Sequence, residues 1–184
     1  MRLFSPAVAR SLARVAAFAA LTAVGAAPAA AGTAEVALDR AAVASFLAAQ
    51  LPPPTKVATP LGAITAKFVA PESVSFVDGT VEARLGLRLV EPGIEGAARF
   101  RFRPEVDEKA GVVRLAVVRA VGEGPLAVLP DVAALLPAPH QPTVFRWALG
   151  AKDGARTPMR ATIRRVEVRD DRLVITLDVE AGAL

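Results

Sequence analysis

The chain has 184 residues, which at roughly 150 residues per domain favours one domain. It contains no cysteine, one histidine and no tyrosine. This composition excludes disulfides, thiolate metal sites, cysteine nucleophiles and a lipid anchor on an N-terminal cysteine. One histidine without cysteine also argues against a zinc site, so we expect neither a metal nor a cofactor.

Residues 1–31 predict a secretory signal peptide. Arg2, Arg10 and Arg14 form a basic start, residues 15–24 are apolar, and three alanines at 29–31 offer a small-residue cleavage site. This apolar run is too short for a bilayer, which takes about 20 residues; the alternative is a short buried helix. We therefore expect cleavage near Ala31 and a soluble periplasmic or secreted domain over residues 32–184.

The net charge of +4 falls to near zero without the three arginines of that segment. A high isoelectric point that depends on a removable segment is weak evidence for nucleic-acid binding. We therefore expect no nucleic-acid partner.

The next elements are a short strand over residues 33–38 and a helix over residues 40–51. Asp39 is a favourable N-cap for that helix, because its carboxylate can accept a first-turn N–H group. The apolar stripe consists of Val43, Phe46, Leu47 and Leu51. Three prolines at 52–54 end the helix, since proline lacks the amide hydrogen.

From Leu61 onward apolar residues recur at every second position, which predicts a meander of about four strands. Pro71 is expected to break the first run, and Asp78–Gly79 to form a hairpin turn. Further turns are expected at residues 91–93, 107–111, 152–154 and 170–171. A proline-rich stretch predicts a short helix from Asp131 to Leu136. In the last hairpin the apolar phase changes at Arg164–Arg165, which predicts a bulge.

The order of these predicted strands and helices indicates an α+β domain. A single curved antiparallel β-sheet wraps around one main α-helix, and a short second helical or proline-rich crossover follows. A 12-residue helix is about 18 Å long and a nine-residue strand about 30 Å. The helix is therefore expected to leave part of the concave face open to a ligand.

The order and several short motifs resemble the tubular lipid-binding (TULIP) superfamily, and within it the YceB-like small periplasmic proteins. The matching segments are residues 37–40, 46–47 and 51–52, then 62–64, 101–104 with the acidic turn at 107–108, and 165–168 with 171–173. The resemblance implies a half-TULIP-like fold that binds lipid. Those relatives carry a lipid-modified cysteine, which this chain lacks.

No pattern in the chain predicts a catalytic centre. His140 lies between prolines, and no Gly-x-Ser-x-Gly elbow accompanies it. The acidic pairs at 107–108 and 170–171 fall in predicted turns, where carboxylates do not face each other across a cleft. We therefore expect no catalytic residues and no enzyme activity.

The arginines of neighbouring strands predict one basic, outward face. They are Arg84, Arg88, Arg99, Arg101 and Arg103, followed by Arg114 and Arg119. One interpretation is peripheral contact of the first five with an anionic membrane surface. The other is a solvated face with cross-strand pairs to acids such as Glu82 and Glu95.

The inward apolar residues predict a hydrophobic groove. They are Val43, Phe46, Leu47, Phe68, Phe76, Leu85, Leu87, Phe100, Phe102, Leu115 and Val117. The sequence thus favours a periplasmic, non-catalytic protein that holds or shuttles a lipid, acyl chain or isoprenoid. The alternative is a ligand-free structural or adaptor module of the cell envelope that binds a protein partner. We expect a monomer or a weak homodimer.

Overall fold

A computed structural model describes residues 32–59, 62–129, 131–150 and 156–181 of the chain. The predicted signal peptide of residues 1–31 and its cleavage near Ala31 lie outside these residues. The turn predicted at residues 152–154 also lies outside them.

The first sheet is antiparallel and strongly curled, and its six strands follow one another in chain order. They are β2 (Thr55–Thr59), β3 (Gly62–Val77), β4 (Thr80–Leu89), β5 (Ile94–Asp107), β6 (Val112–Glu123) and β7 (His140–Pro142). Because side chains alternate between the two faces of a strand, the period-two pattern gives this sheet one apolar, concave face. The predicted meander is therefore confirmed and is longer than expected.

The remaining four strands form a second sheet in the order β1-β10-β9-β8. They are β1 (Gly32–Leu38), β8 (Val144–Gly150), β9 (Arg156–Arg169) and β10 (Arg172–Ala181). The prediction of a single sheet is therefore wrong. Alternation shows which face a residue occupies and not which strand pairs with it, so the division between sheets leaves no trace in the pattern.

The chain passes from one sheet to the other at Thr143, between β7 and β8. The Thr143 N–H donates to the Gly111 carbonyl at 2.9 Å, and the Thr143 carbonyl accepts from Ile163 N–H at 2.7 Å. Gly111 precedes β6 and Ile163 lies in β9. One buried residue therefore links the two sheets through backbone hydrogen bonds.

In the part of the chain that the structure describes, one α-helix forms, α1 (Arg40–Gln50); it follows β1 and confirms the prediction. The Asp39 carboxylate accepts a hydrogen bond from the Ala42 N–H at 2.8 Å, as an N-cap does. Val43 and Leu47, one turn apart, are its two fully buried side chains. The helix lies mainly against β3.

Two of the predicted hairpin turns require left-handed backbone, and both form. Asp78 and Gly79 have φ values of 48° and 71°, as a two-residue turn between strands demands. Asp170 and Asp171 have φ values of 52° and 55° and join β9 to β10. Aspartate tolerates this region better than most residues because its side chain can hydrogen-bond locally.

The bulge predicted at Arg164–Arg165 is also confirmed. Thr176 pairs with Arg165 and the next residue, Leu177, pairs with Ile163, so Arg164 is the extra residue of β9. Ile163 and Val166 are both buried although they are three positions apart. A regular strand would place them on opposite faces, so the bulge explains the change of phase.

Pro71 does not end its strand, contrary to the prediction. β3 runs for 16 residues, and its pairing with β4 shifts register on both sides of Pro71. β2 covers the outer edge of β3 only from Gly62 to Ala66, so Pro71 lies on an edge that no other described strand pairs with. Sheets tolerate proline at such edge positions and at bulges.

One apolar cluster fills the space between the two sheets and α1. The first sheet supplies most of it, α1 adds Val43 and Leu47, and the second sheet adds Ile163, Val166 and Leu173. The concave face of the first sheet is thus the floor of the core.

Candidate functional site

The predicted groove residues come together on the concave face of the first sheet. Phe100 and Phe102 are fully buried, and their rings stack with centroids 5.9 Å apart and planes 13° apart. The Phe68 ring meets the Phe100 ring edge-on, also at 5.9 Å. Two strands, β3 and β5, therefore present a continuous aromatic floor.

All eleven predicted residues belong to the same apolar cluster. The nine that are buried are Val43, Leu47, Phe68, Phe76, Leu85, Leu87, Phe100, Phe102 and Leu115. Phe46 and Val117 are partly buried and pack against the cluster. The convergence predicted by the pattern is thus real, and most of these side chains are covered by the protein itself.

A second cover lies over β5 and β6. The sequence predicts a short helical or proline-rich crossover in this stretch, but it does not predict that the crossover closes the core. We call this cover the crossover segment and define it as residues 124–129 and 131–136. It contains two 3₁₀ turns, Gly124–Val128 and Ala133–Leu135. Its buried apolar side chains are Leu126, Val132, Leu135 and Leu136. The predicted helix from Asp131 is reduced to one such turn, in which the Asp131 carboxylate accepts from the Ala134 N–H at 3.2 Å.

Two glycines make room for the crossover segment. A Cβ atom at Gly122 would clash with the Leu126 carbonyl, and one at Gly96 would come within 2.9 Å of the Leu126 side chain. The segment therefore approaches β5 and β6 more closely than any side chain would permit.

A signal for this cover exists in the sequence. Apolar residues recur every third position at Leu126, Leu129, Val132 and Leu135. Three residues per turn is the 3₁₀ period, which places such positions above one another. The prolines around this stretch conceal the pattern from a search for α-helical or strand periods.

The convex side of the first sheet carries the predicted arginines, and we call it the arginine face. Residues directly opposite each other on neighbouring strands share a face. Glu82 lies opposite Arg101, which lies opposite Arg119; Arg84 lies opposite Arg99. These residues form rows across β4, β5 and β6.

Four of the five predicted arginines are paired with glutamates. Arg84 pairs with Glu72 and, at 2.7 Å, with Glu123, while Arg88 lies 3.4 Å from Glu95. Glu82 accepts a hydrogen bond from Arg101 at 3.2 Å and forms an ion pair with Arg99 at 3.6 Å. Cross-strand pairing is therefore present, as one of the two interpretations of this face expected.

Glu123 binds both arginines of one row of the arginine face. Its carboxylate accepts from the Arg84 Nε–H at 2.7 Å and from the Arg99 Nε–H at 3.0 Å. The hydrogen bond from Arg84, followed by the charge and hydrogen bond of Arg99, lowers the pKa of Glu123 despite some desolvation. A hollow of about 150 Å³ lies beside this network and is lined by Ser73, Ser75, Glu82, Arg84 and Arg99.

His140 and the acidic pairs do not form a reactive constellation. His140 is exposed on β7, and its Nδ1 lies 3.2 Å from the Ala138 carbonyl. The Asp107 carboxylate accepts from the Ala110 N–H at 3.0 Å within its own turn. Within residues 32–59, 62–129, 131–150 and 156–181, no three histidine, aspartate or glutamate side chains cluster as metal ligands do.

No protein-family model, curated protein or solved structure matches the chain. Among the described residues, no helix combines the length and apolar character needed to cross a bilayer.

Proposed function

We propose that this protein is a periplasmic, non-catalytic binding protein that holds or shuttles a hydrophobic ligand inside its curled sheet. The ligand class is a lipid, an acyl chain or an isoprenoid. The proposal includes the resemblance to half of a tubular lipid-binding module. The observation that carries it is the continuous apolar floor from Phe68 to Phe102, of which α1 covers the β3 side with only two buried side chains.

The helix α1 supports this proposal because few polar side-chain contacts hold it in place. It lies mainly on β3, and its side-chain link to the second sheet is an exposed pair between Arg40 and Asp171 at 3.2 Å. Exposed ion pairs contribute about 0–1 kcal/mol. A displaced α1 would uncover Phe68 and the neighbouring floor, where a ligand would be held by burial of apolar surface.

Native mass spectrometry of gently purified protein tests this proposal. We expect a co-purified lipid-like mass that collision releases and that solvent extraction recovers. A clean apo mass across several preparations, together with no uptake of added fatty acid or phospholipid, would contradict it.

The second candidate is a ligand-free adaptor module, and one observation favours it. Phe100, Phe102, Leu85 and Val81 have no solvent-exposed surface, as in an ordinary packed core. Such a module would bind a protein partner through the arginine face or a sheet edge. The apo mass that contradicts ligand binding is the result expected for this candidate.

Export is a separate part of the proposal and has its own test. The three alanines at residues 29–31 suggest processing there, so N-terminal sequencing of protein from the periplasmic fraction should begin at or near Gly32. Recovery of intact Met1 from that fraction would contradict export with cleavage.

A further inference from the structure

The charges of the arginine face are not equally accessible, because some side chains are less exposed to solvent than others. Two glutamates of this face are less exposed than the arginine they share: the Glu82 and Glu123 side chains are 19% and 28% exposed, whereas that of Arg99 is 54% exposed. Their carboxylates therefore lie beneath the Arg99 guanidinium group, although the two other glutamates of the face are at least as exposed as their arginine partners. A large object that approaches the face at Arg99 from solvent meets positive charge first.

Two arginines on this face have no acidic partner. Arg103 in β5 and Arg119 in β6 are exposed, and within the described ranges neither side chain has an ion pair or a hydrogen bond. Arg119 lies directly opposite Arg101, and Arg101 shares Glu82 with Arg99. Positive charge on this part of the face therefore exceeds the negative charge available to neutralise it.

Exposed apolar side chains lie beside these two arginines. Val118 and Val121 of β6 are 42% and 44% exposed, in a protein that buries most of its large apolar residues. Val121 lies opposite Arg99 and so points to the arginine face. Val118 is the extra residue where the β5–β6 register shifts between Arg101 and Phe102, so the bulge turns it outward.

We infer that this patch, Arg103 and Arg119 with Val118 and Val121, is a docking surface for an anionic membrane. Lipid phosphates would accept from the two guanidinium groups, and the valines would enter the boundary between headgroups and acyl chains. Exposed valines beside arginines favour a lipid surface over an acidic polypeptide, which would offer carboxylates but no apolar layer. The patch belongs to the convex side and is independent of the interior binding proposed above.

Co-sedimentation with vesicles tests the patch. Purified protein is mixed with vesicles of phosphatidylcholine alone or with about one third phosphatidylglycerol. We expect binding only to the anionic vesicles, and a marked loss of binding at 0.5 M salt, where the screening length falls to a few ångströms. All samples must have the same N-terminus by intact mass, so that any contribution of residues 1–31 is common to them.

The double variant R103Q/R119Q should lower the vesicle partition coefficient by about thirtyfold, given the usual contribution of a basic residue near an anionic surface. The matched control is R160Q/R172Q, which removes the same charge from exposed positions of the second sheet. We expect the control to bind like wild type. V118S/V121S should bind several-fold more weakly, by a factor that salt does not change. All variants must show the same thermal unfolding midpoint, so that differences in binding do not arise from differences in folding.

Three results would overturn the inference. One is binding of R103Q/R119Q at the wild-type level. Another is an equal loss in the R160Q/R172Q control, which would show that only net charge matters. The third is a wild-type protein that ignores anionic vesicles but binds poly-glutamate, which would make the patch a site for acidic polypeptides.

Discussion

The two covers of the concave face differ in regularity and in how much they bury. α1 is a regular helix of 11 residues with two fully buried side chains. The crossover segment has only two short 3₁₀ turns but buries four large apolar side chains against β5 and β6. Regular secondary structure is therefore a poor guide to which segment closes this core. We expect the interior to open on the α1 side before it opens on the crossover side.

The largest effect is expected at the floor that both covers share. Phe100→Ala and Phe102→Ala should each lower the free energy of unfolding by about 3–5 kcal/mol if the rings are packed core. A smaller loss is expected where a ring faces a space that a ligand occupies, because fewer packed neighbours are lost. Urea unfolding measures both variants. Full losses at both positions, with no lipid in the native mass spectrum, would leave the adaptor as the better candidate.

The same leucine truncation in the two covers compares them directly. Leu126 and Leu47 are 0% and 1% exposed, and leucine truncation in a core costs about 2–5 kcal/mol, depending on how far the site can collapse. Leu126 lies against the backbone at Gly96 and Gly122, which cannot move inward. α1 can settle toward β3, so Leu47→Ala should cost less than Leu126→Ala in parallel urea titrations. An equal or larger loss for Leu47→Ala would contradict the difference between the covers.

Adding one methyl group tests how closely the crossover segment approaches the sheet. Gly122→Ala should destabilise the protein by about 1–3 kcal/mol, because its Cβ would clash with the backbone of Leu126. Gly86→Ala is the matched control in β4, where a Cβ would meet only side chains, with Val69 at 3.1 Å. We expect a clearly smaller shift for the control in thermal unfolding. If both variants unfold like wild type, the close approach at Gly122 is wrong.

The smallest expected effect is a pH dependence of the free energy of unfolding, caused by two carboxyl groups near the covers. Glu91 accepts from the Thr65 hydroxyl at 2.5 Å and the Thr65 N–H at 2.6 Å, which lowers its pKa and holds the β4–β5 turn against β3. The pKa of Glu123, just before the crossover segment, is also lowered. A carboxyl with a lowered folded-state pKa adds stability above its ordinary pKa of about 4.3, and this is lost as pH falls through the lower value.

Urea midpoints measured from pH 6 down to pH 3 should therefore decline. E91Q and E123Q should each flatten part of that decline, because the amide does not titrate. A decline in both variants identical to that of wild type would show that other carboxyl groups cause it.

Local chemistry could be predicted from the sequence, whereas long-range arrangement could not. Asp39, Asp78–Gly79 and the phase change at Arg164 each act through neighbouring residues, so short patterns predict the cap, the turn and the bulge. Pro71 was misjudged because its effect depends on whether β2 extends alongside it. The second sheet and the buried crossover depend on contacts between distant segments.

The sequence likewise predicted the residues of the candidate site but not the segments that cover them. Alternation identifies the aromatic residues of the floor, since side chains on one face of a strand share an environment. It does not identify what covers them, because a cover can come from any part of the chain. The arginine face was found by the same alternation. Its neutralising partner Glu123 lies 24 residues from Arg99 and required the β5–β6 register to be known.

The pairing of β1 with β10 also has a consequence for the order of folding. Gly32 lies beside Val179, so the two ends of the described chain meet in one sheet. The β2–β6 meander can form hairpin by hairpin as it is made, because each strand pairs with its neighbour, but β1 must wait for the last strand. The helix α1 lies mainly against β3 and can dock before β1 pairs. A newly made chain is therefore expected to pass through a stage in which the apolar floor lacks its second sheet, and at that stage it is most exposed to aggregation and to chaperones.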